Sequence, residues 1–343
     1  PPKTCGQKKV NCFRAAAWIV RAATDGTPSE GGHGREAWVT DGTLAGTQLI
    51  EINTSATVNS GNSDPYNFTV LGNRVLLSAY NSSRLRELWV TDGTSVGTRM
   101  YDLNTFGGGI TSNPVAAGSN MVWTANDGLQ ADGKHGDELW VSNGTAAGTS
   151  LVDINQASWY NGGNSYPSGF TKNGNLTFFS ARNATNGNEL WQTDGTAAGS
   201  TLAADINPNT ENSNADSFVV AGNRYYFRAY TQQYGWELYT STSATGSATL
   251  VKDIRINGDS YPDSFTASGN KMFFRADDGI NGREIWVTDG TAAGTRMVKN
   301  ICPTSNDCGS WIHSEVNGEV LFYANDLVHG YQPYLTDGTA AGT

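Results

Sequence analysis

The sequence predicts an all-β protein, a seven-bladed β-propeller of four-stranded antiparallel blades. Three observations lead to this fold class. A motif close to ELWVTDGTAAGT returns seven times in 343 residues, 41 glycines supply many tight turns, and short apolar stretches alternate as strands do. No helical periodicity of useful length interrupts the pattern.

The spacing of the motif sets the size of each unit. Its central aromatic recurs every 47 to 51 residues, a period typical of propeller blades. The aromatic occupies positions Trp38, Trp89, Trp140, Trp191, Tyr239, Trp286 and Tyr334. The predicted blades of a single domain, 1–343, are approximately 8–53, 64–104, 110–155, 166–207, 215–256, 261–301 and 310–343. An open array of β units is the alternative architecture.

Each unit is predicted to hold four strands, which we label A to D. In the sixth unit the chain runs through DSFTAS, a GN turn, KMFFRA, the loop DDGING, REIWVT, a DGTAAGT turn and RMVKNI. Gly and Asn tolerate the positive φ that tight hairpins require. Because a lone four-stranded sheet buries too little apolar surface, we expect the units to stack against one another.

The repeated motif is interpreted as scaffold, and no catalytic residue is predicted. We expect its aromatic to pack between neighbouring blades, its Asp to accept backbone N–H bonds in the turn, and its Thr residues to cap the loop. A glutamate lies two residues before the aromatic in six units. Because an active site breaks the symmetry of a repeat, these residues are expected to be structural: Glu36, Glu87, Glu138, Glu189, Glu237 and Glu284.

The motif ELWVTDGTAAGT resembles the ELWxxDGTxxGT repeat of large secreted and surface proteins, mainly of bacteria. The resemblance covers essentially the whole chain. It departs at Asn143, in the degraded fifth copy, and at Gln332 and Pro333. The resemblance implies an extracellular propeller-like module. It implies no defined activity, because the family has no catalytic residues to carry over.

Composition excludes several functions. The net charge of −10 and the pI near 4.8 argue against nucleic-acid binding, which needs a concentrated basic surface. The apolar stretches are too short to cross a membrane, and the start PPKTCG suggests that any secretory signal has been removed. No cofactor is predicted, and calcium lacks an EF-hand spacing. We expect an extracellular, secreted or cell-surface protein.

The four cysteines form two close pairs in the sequence, Cys5 with Cys12 and Cys302 with Cys308. Neither pair has the spacing of a CxxC metal or redox motif. In an exported protein, two local disulfides are the expected arrangement. Bridges between the N-terminal and the C-terminal pair stay open as an alternative, because the sequence cannot choose a connectivity.

The predicted strand order gives the blades two different ends. The A–B and C–D turns share one end, and the variable B–C and D–A connections share the other, where function is expected. Trp159, Tyr160 and Trp311 are the glycan-binding candidates there, because sugar rings stack on exposed aromatics. Three further tyrosines, each beside a proline, are interpreted as structural: Tyr66, Tyr166 and Tyr261.

Three histidines precede a glycine in their B–C loops, at His33, His135 and His329. Asparagine takes the same place at Asn186 and Asn281. The exchange with asparagine indicates a turn residue, so no metal site is predicted. The N-glycosylation candidates, from N-x-S/T sequences, are Asn53, Asn67, Asn81, Asn143, Asn175 and Asn183.

The given sequence stops in the C–D turn of the last unit, where its fourth strand is expected to begin. Either the N-terminal segment supplies that strand and closes the ring, or the edge is open to a strand from a continuation of the chain or from a neighbouring copy. The sequence therefore predicts an extracellular, non-enzymatic structural or adhesive module, with self-assembly through that edge. Its expected partners are copies of itself or neighbouring extracellular proteins. The alternatives are a lectin that uses the aromatic loops and, third, a polysaccharide-active enzyme.

Overall fold

A computed structural model gives the fold. It describes residues 13–15, 18–24, 34–55, 61–83, 85–103, 109–110, 112–128, 135–156, 163–241, 248–302 and 309–343. Every named element in these ranges is a β-strand. No helix among them is long and apolar enough to span a bilayer.

The strands form antiparallel sheets in chain order, one sheet for each repeat. Sheets 1 to 3 comprise β1 (Phe13–Ala15), β2 (Trp18–Thr24), β3 (Arg35–Thr40), β4 (Gln48–Ile50); β5 (Tyr66–Leu71), β6 (Arg74–Tyr80), β7 (Arg86–Thr91), β8 (Arg99–Tyr101); and β9 (Val115–Ala117), β10 (Asn120–Asn126), β11 (Asp137–Ser142), β12 (Thr149–Val152).

Sheets 4 to 7 continue the series. They comprise β13 (Ser168–Asn173), β14 (Leu176–Asn183), β15 (Gly187–Thr193), β16 (Thr201–Ala204); β17 (Asp216–Ala221), β18 (Arg224–Thr231), β19 (Gly235–Ser241), β20 (Thr249–Lys252); β21 (Asp263–Ser268), β22 (Lys271–Asp277), β23 (Arg283–Thr288), β24 (Arg296–Met297); and β25 (Trp311–Val316), β26 (Glu319–Asn325), β27 (Tyr331–Thr336).

The chain divides into two compact units. The first contains the residues up to Pro167 together with Asp194–Ala198, and the second contains Ser168–Thr193 together with Gly199–Thr343. Sheets 1 to 3 belong to the first unit and sheets 4 to 7 to the second.

Within each unit, consecutive sheets pack face to face. In the first unit, Val39 and Ile50 of sheet 1 share a core with Val75 and Leu77 of sheet 2. In the second, separate cores join sheets 4 and 5, sheets 5 and 6, and sheets 6 and 7. Each fully buried Leu or Phe contributes roughly 1.5–3 kcal/mol. The inner sheets therefore bury both faces, which a single thin sheet cannot do.

The motif aromatic enters the core shared with the preceding sheet. Trp286 of sheet 6 joins Leu238 and Val251 of sheet 5, and Tyr334 of sheet 7 packs on the core that contains Ile285. The indole Nε1 of Trp286 has no hydrogen-bond partner in the described structure. The position therefore uses the bulk of the ring, which explains why tyrosine replaces tryptophan in two copies.

The DGT turn is closed by its own side chains. In the sixth copy, Asp289 Oδ1 accepts both the backbone N–H (2.9 Å) and the hydroxyl (2.7 Å) of Thr291, and Thr291 Oγ1 accepts the N–H of Gly294 (2.9 Å). The hydroxyls of Thr288 and Thr295 join the two strands at 2.7 Å. These bonds follow the predicted roles of Asp and Thr.

Both glycines of the turn are required by its geometry. Gly290 has φ +89°, in the region that favours glycine. A Cβ on Gly294 would lie 2.1 Å from Asp289 Oδ1, so any side chain there would displace the carboxylate that closes the turn. The same close approach occurs at Gly46, Gly97, Gly148 and Gly342.

Basic side chains of one sheet also hold the turn of the next. Lys252 Nζ of sheet 5 donates to the Thr295 carbonyl in sheet 6 at 3.0 Å. Lys271 Nζ of sheet 6 donates to the Asp337 carbonyl in sheet 7 at 2.8 Å. These bonds fix the carbonyls of two turns to the neighbouring sheet.

The all-β class and the four-stranded antiparallel sheets are as predicted. Sheet 7 differs from the other six sheets in having three strands among its described residues, and Thr343 lies in its C–D turn.

Candidate functional site

The repeated glutamates are buried and bind the backbone. In sheet 5, Glu237 is fully buried, and its Oε1 accepts the N–H of Arg255 (3.2 Å) at the end of strand D. Its Oε2 accepts the Ser260 hydroxyl (2.6 Å) on the connection to sheet 6. Glu36 and Glu189 make the same link through the backbone N–H groups of Ile52 and Ser63, and of Ile206 and Ser213. In Glu138 only Oε2 is bonded, to Ile154 and Ser165, and Oε1 has no partner among the described residues. These bonds give the carboxylates a structural role between strand D and the next sheet.

Burial changes the acidity of these glutamates. Desolvation raises the pKa of Glu36, Glu87, Glu189 and Glu237 to about 7, and that of Glu138 to about 8, although their hydrogen bonds act in the opposite direction. A raised pKa alone does not make a catalytic acid, and these five side chains are fully buried in the described structure.

The histidines in the B–C loops close turns. His329 donates its backbone N–H to Asp326 Oδ1 (2.6 Å), and its Nδ1 lies 2.7 Å from Asp326 Oδ2. Asn281 bonds to Asp278 in the same way, with its N–H and its Nδ2 both at 2.7 Å. Histidine and asparagine therefore close the turn through the same two contacts with the aspartate three residues earlier. His33 lies outside the described residues, within which no metal-binding group of His, Cys, Asp or Glu occurs.

The part of the repeat that varies lies at the B–C end of each sheet. We call it the variable row, to which each sheet contributes three residues. Two are the strand-A residue and its strand-B partner in the A–B pair nearest the B–C loop. The third is the strand-C residue directly before the position of the repeated glutamate. Its members in five sheets are Tyr66, Ser78, Arg86; Ser168, Ser180, Asn188; Asp216, Arg228, Trp236; Asp263, Arg275, Arg283; and Trp311, Tyr323, Tyr331.

A bulge in strand A positions the first member of the row. In sheet 6 the pairing shifts between Asp263 and Thr266, and Ser264 has φ +57°. The same shift follows Asp216 in sheet 5. Bulges re-aim side chains, and here the Asp faces the arginine twelve residues later in the sequence. The sequence signal, an Asp twelve residues before an Arg, occurs in both units and was missed.

Sheets 5 and 6 use the row for ion pairs. Asp216 binds Arg228 Nε at 2.6 Å and Nη2 at 3.0 Å. Asp263 binds Arg275 through Nε and Nη2, both at 2.8 Å, and also Arg283 Nη2 at 2.5 Å. Burial alone would raise the pKa of Asp263, but the two arginines hold it below its usual value.

Sheet 7 fills the row with rings. Trp311 stacks on Tyr323 with 5.2 Å between ring centroids and leans on Tyr331 at 5.3 Å. Trp311 is 41% exposed and Tyr331 is 54% exposed. In the pairing register Trp311 occupies the position of Asp263, so it is a member of the repeat.

Rigid turns present aliphatic side chains beside the row. Asp278 Oδ1 accepts the N–H of Ile280 at 2.9 Å, and Asp326 Oδ1 accepts the N–H of Val328 at 2.9 Å. Ile280 and Val328 are 74% and 78% exposed. Together with other exposed residues at this end they form what we call the B–C surface: Ile256, Tyr261, Ile280, Trp311, Val328 and Tyr331.

The three tyrosines beside prolines do not share one position. Tyr166 and Tyr261 have positive φ, +48° and +44°, and the residue with this backbone in sheet 2 is Asp64. Tyr66 instead lies in strand A, under the guanidinium of Arg86 at 4.2 Å. All three are at least 38% exposed, so they are not buried plugs.

Several predicted site residues lie outside the described residues: Trp159, Tyr160, Cys5, Cys12 and Cys308. Cys302 is disulfide-bonded, and its connectivity stays a prediction.

Among the predicted glycosylation sites, Asn53 is only 2% exposed and its Nδ2 donates to the Asn62 carbonyl, so it is inaccessible in the folded chain. Asn67, Asn81 and Asn183 are partly buried, whereas Asn143 and Asn175 are exposed.

Comparison with known proteins gives a likeness of fold only. No protein-family model and no curated protein matches the sequence. A prolyl endopeptidase structure is similar over 92% of this chain and 45% of that chain, with TM-score 0.45 and 11% identity. The acylaminoacyl peptidase of Pyrococcus horikoshii is similar over 96% of this chain and 51% of that chain, with TM-score 0.38 and 11% identity. A puromycin hydrolase is similar over 96% of this chain and 52% of that chain, with TM-score 0.42 and 11% identity.

These comparisons correct the functional prediction. An extracellular, non-enzymatic structural or adhesive module, with a lectin or a polysaccharide-active enzyme as alternatives, is contradicted, because the similar structures are peptidases and hydrolases by name. The chain spans about half the length of those proteins. No enzymatic activity follows for this chain from the likeness.

Proposed function

We propose that this chain is a recognition module that binds a polypeptide through the B–C surface of sheets 5 to 7. The observation that carries the proposal is the composition of that surface. It combines exposed rings of Tyr261, Trp311 and Tyr331 with arginines of the variable row. Trp, Tyr and Arg are the residues most enriched in protein-binding hot spots.

The rigidity of this surface supports the same proposal. The turns that carry Ile280 and Val328 are closed by three hydrogen bonds each to an aspartate carboxylate. A turn whose backbone is already ordered loses less conformational entropy when a partner covers it. Aliphatic side chains held on ordered turns beside exposed rings therefore suit binding.

We also propose that the repeated glutamates serve folding and take no part in catalysis. The repeated glutamates, which are the strongest acid candidates in the sequence, hold backbone N–H groups with their oxygens. Their chemistry is used for folding. A substrate would have to break the link between two sheets to reach one of them.

The seven repeats support a closed seven-bladed propeller as the architecture of this module, which we propose on the sheet-on-sheet packing inside each unit. Negative-stain class averages of the purified chain should show rings with seven sectors. Open or elongated particles would contradict closure.

Selection from a displayed library of random peptides tests the binding proposal. The immobilised full chain should enrich a peptide family, and Trp311→Ala with Tyr331→Ala should reduce its retention by at least about tenfold, because hot-spot rings each contribute about 2 kcal/mol or more. The matched control is Leu44→Ser with Val96→Ser, two aliphatics 94% and 86% exposed in C–D turns. No enrichment, or equal losses in both variants, would overturn the proposal.

A further inference from the structure

The variable row of sheet 6 differs from its neighbour in charge. In sheet 5 one aspartate, Asp216, faces one arginine, Arg228. In sheet 6 one aspartate, Asp263, faces both Arg275 and Arg283. Trp236 takes the place of the second arginine in sheet 5. Sheet 6 therefore carries one surplus positive charge in a chain whose net charge is −10.

The two arginines of sheet 6 are not equally satisfied. Arg275 uses Nε and Nη2 on Asp263 and Nη1 on the carbonyl of Ser310, at 2.9 Å. Arg283 bonds only through Nη2, to Asp263 and to the Tyr261 carbonyl at 2.7 Å. Its Nε–H is buried without a partner among the described residues. An incoming acceptor cannot reach this buried Nε–H, so the group that Arg283 offers to a ligand is Nη1, which bonds to none of the described residues.

The surplus is a property of the ion pairs of the row. Asp277 lies opposite Arg283 in the strand pairing but is paired with Arg255, and Asp259, two residues before Tyr261, accepts the N–H of Trp236. The groups that act on Asp263 are Arg275, Arg283 and the hydroxyl of Ser264. Arg228 of sheet 5 also interacts with Asp263, but Arg228 is neutralised by Asp216. Counting the five charged groups of the row in sheets 5 and 6, three arginines face two aspartates.

Aromatic rings flank the arginine pair. Tyr261, whose carbonyl accepts from Arg283, is 44% exposed. Ser310, whose carbonyl accepts from Arg275, directly precedes the exposed Trp311. The arginine pair is therefore bonded to the backbone at Tyr261 and directly before Trp311, two exposed aromatic residues of the B–C surface.

We propose that Arg283, supported by the Asp263–Arg275 pair, binds a carboxylate of the polypeptide partner. This inference rests on the proposed function and adds the chemistry of the ligand. Guanidinium groups bind carboxylates through short, charge-assisted hydrogen bonds. The carboxylate belongs to an acidic side chain or to a chain terminus, and the rings of Tyr261 and Trp311 contact the residues beside it.

Three matched peptide pools test this inference. All three pools are random nonapeptides. The first has a free C-terminus and no acidic residue, the second has an amidated C-terminus and no acidic residue, and the third has an amidated C-terminus and one central Glu. We expect the immobilised full chain to retain one or both carboxylate-bearing pools at least about tenfold better than the neutral pool, as for a charged hydrogen bond. Preference for the free terminus or for Glu identifies the source.

Variants separate the outcomes. Arg283→Gln should remove the preference for carboxylates, Arg283→Lys should restore part of it, and Arg99→Gln, at an exposed position in strand D of sheet 2, should leave it intact. Melting temperatures of all three variants check that the chain stays folded. Equal retention of all pools by the unaltered chain, or a preference that survives Arg283→Gln, overturns the carboxylate inference while polypeptide binding stands. Failure to retain any pool contradicts the proposed function itself.

Discussion

The two ends of the sheets differ in how much their side chains vary from one repeat to the next. At the turn end, each side chain of the DGT motif bonds to its own loop, and lysines of the neighbouring sheet hold the loop carbonyls. At the B–C end, the backbone is equally well held, but the variable row changes from ion pairs to rings between sheets 5 and 7. Uniformity therefore marks the scaffold, and variation on a fixed register marks the surface available for recognition.

The largest effect is expected from pH, because it acts on several repeats at once. The folded pKa of the buried glutamates, about 7 to 8, lies above the unfolded value of about 4.5, so the native chain binds more protons between those values. The free energy of unfolding should be greatest near pH 5 and fall as pH rises to 8, by at least about 2 kcal/mol at about 1.4 kcal/mol per pKa unit.

Urea unfolding at pH 5 and pH 8 measures this difference. The turn aspartates do not interfere, because hydrogen bonds from threonine lower the pKa of Asp41, Asp92 and Asp289, and these groups stay ionised throughout the window. Stability that rises from pH 5 to pH 8 would show that the glutamates fold as ordinary carboxylates.

A single glutamate should produce the next largest effect. Glu237→Ala leaves the N–H of Arg255 and the Ser260 hydroxyl without their acceptor inside the protein. We expect a loss of about 2–4 kcal/mol of unfolding free energy. Glu319→Ala, at an exposed position, should cost less than about 0.5 kcal/mol. If chemical denaturation shows the same loss of unfolding free energy for both variants, Glu237 does not stabilise the link between the two sheets.

The smallest effect concerns the turn glycine. Gly294→Ala places a Cβ where Asp289 Oδ1 now lies, and should cost about 1–3 kcal/mol through overpacking. Gly269→Ala offers the comparison, because its Cβ meets nothing within 4 Å and only its φ of +58° is strained. We expect Gly294→Ala to lower the melting temperature more. The reverse order would mean that the turn relaxes around an added methyl group.

The scaffold could be predicted further than the site. The roles of Asp and Thr in DGT follow from local hydrogen bonding, which a sequence displays directly. The second glycine could not be explained, because its cause is a carboxylate that folds back over it. Asp263 and Arg275 meet next to a bulge, and Trp311 occupies the same register position although the pairing in sheet 7 shifts one residue later, between Ile312 and Ser314. Such register effects need the paired strands.

The central claim, that recognition belongs to the B–C ends and the repeated motif to the scaffold, is tested most directly by hydrogen exchange of the chain with a selected peptide bound. The account predicts added protection at 255–263, 278–283 and 309–313, with the DGT turns at 41–47, 92–98 and 289–295 unchanged. Protection confined to those turns would contradict it.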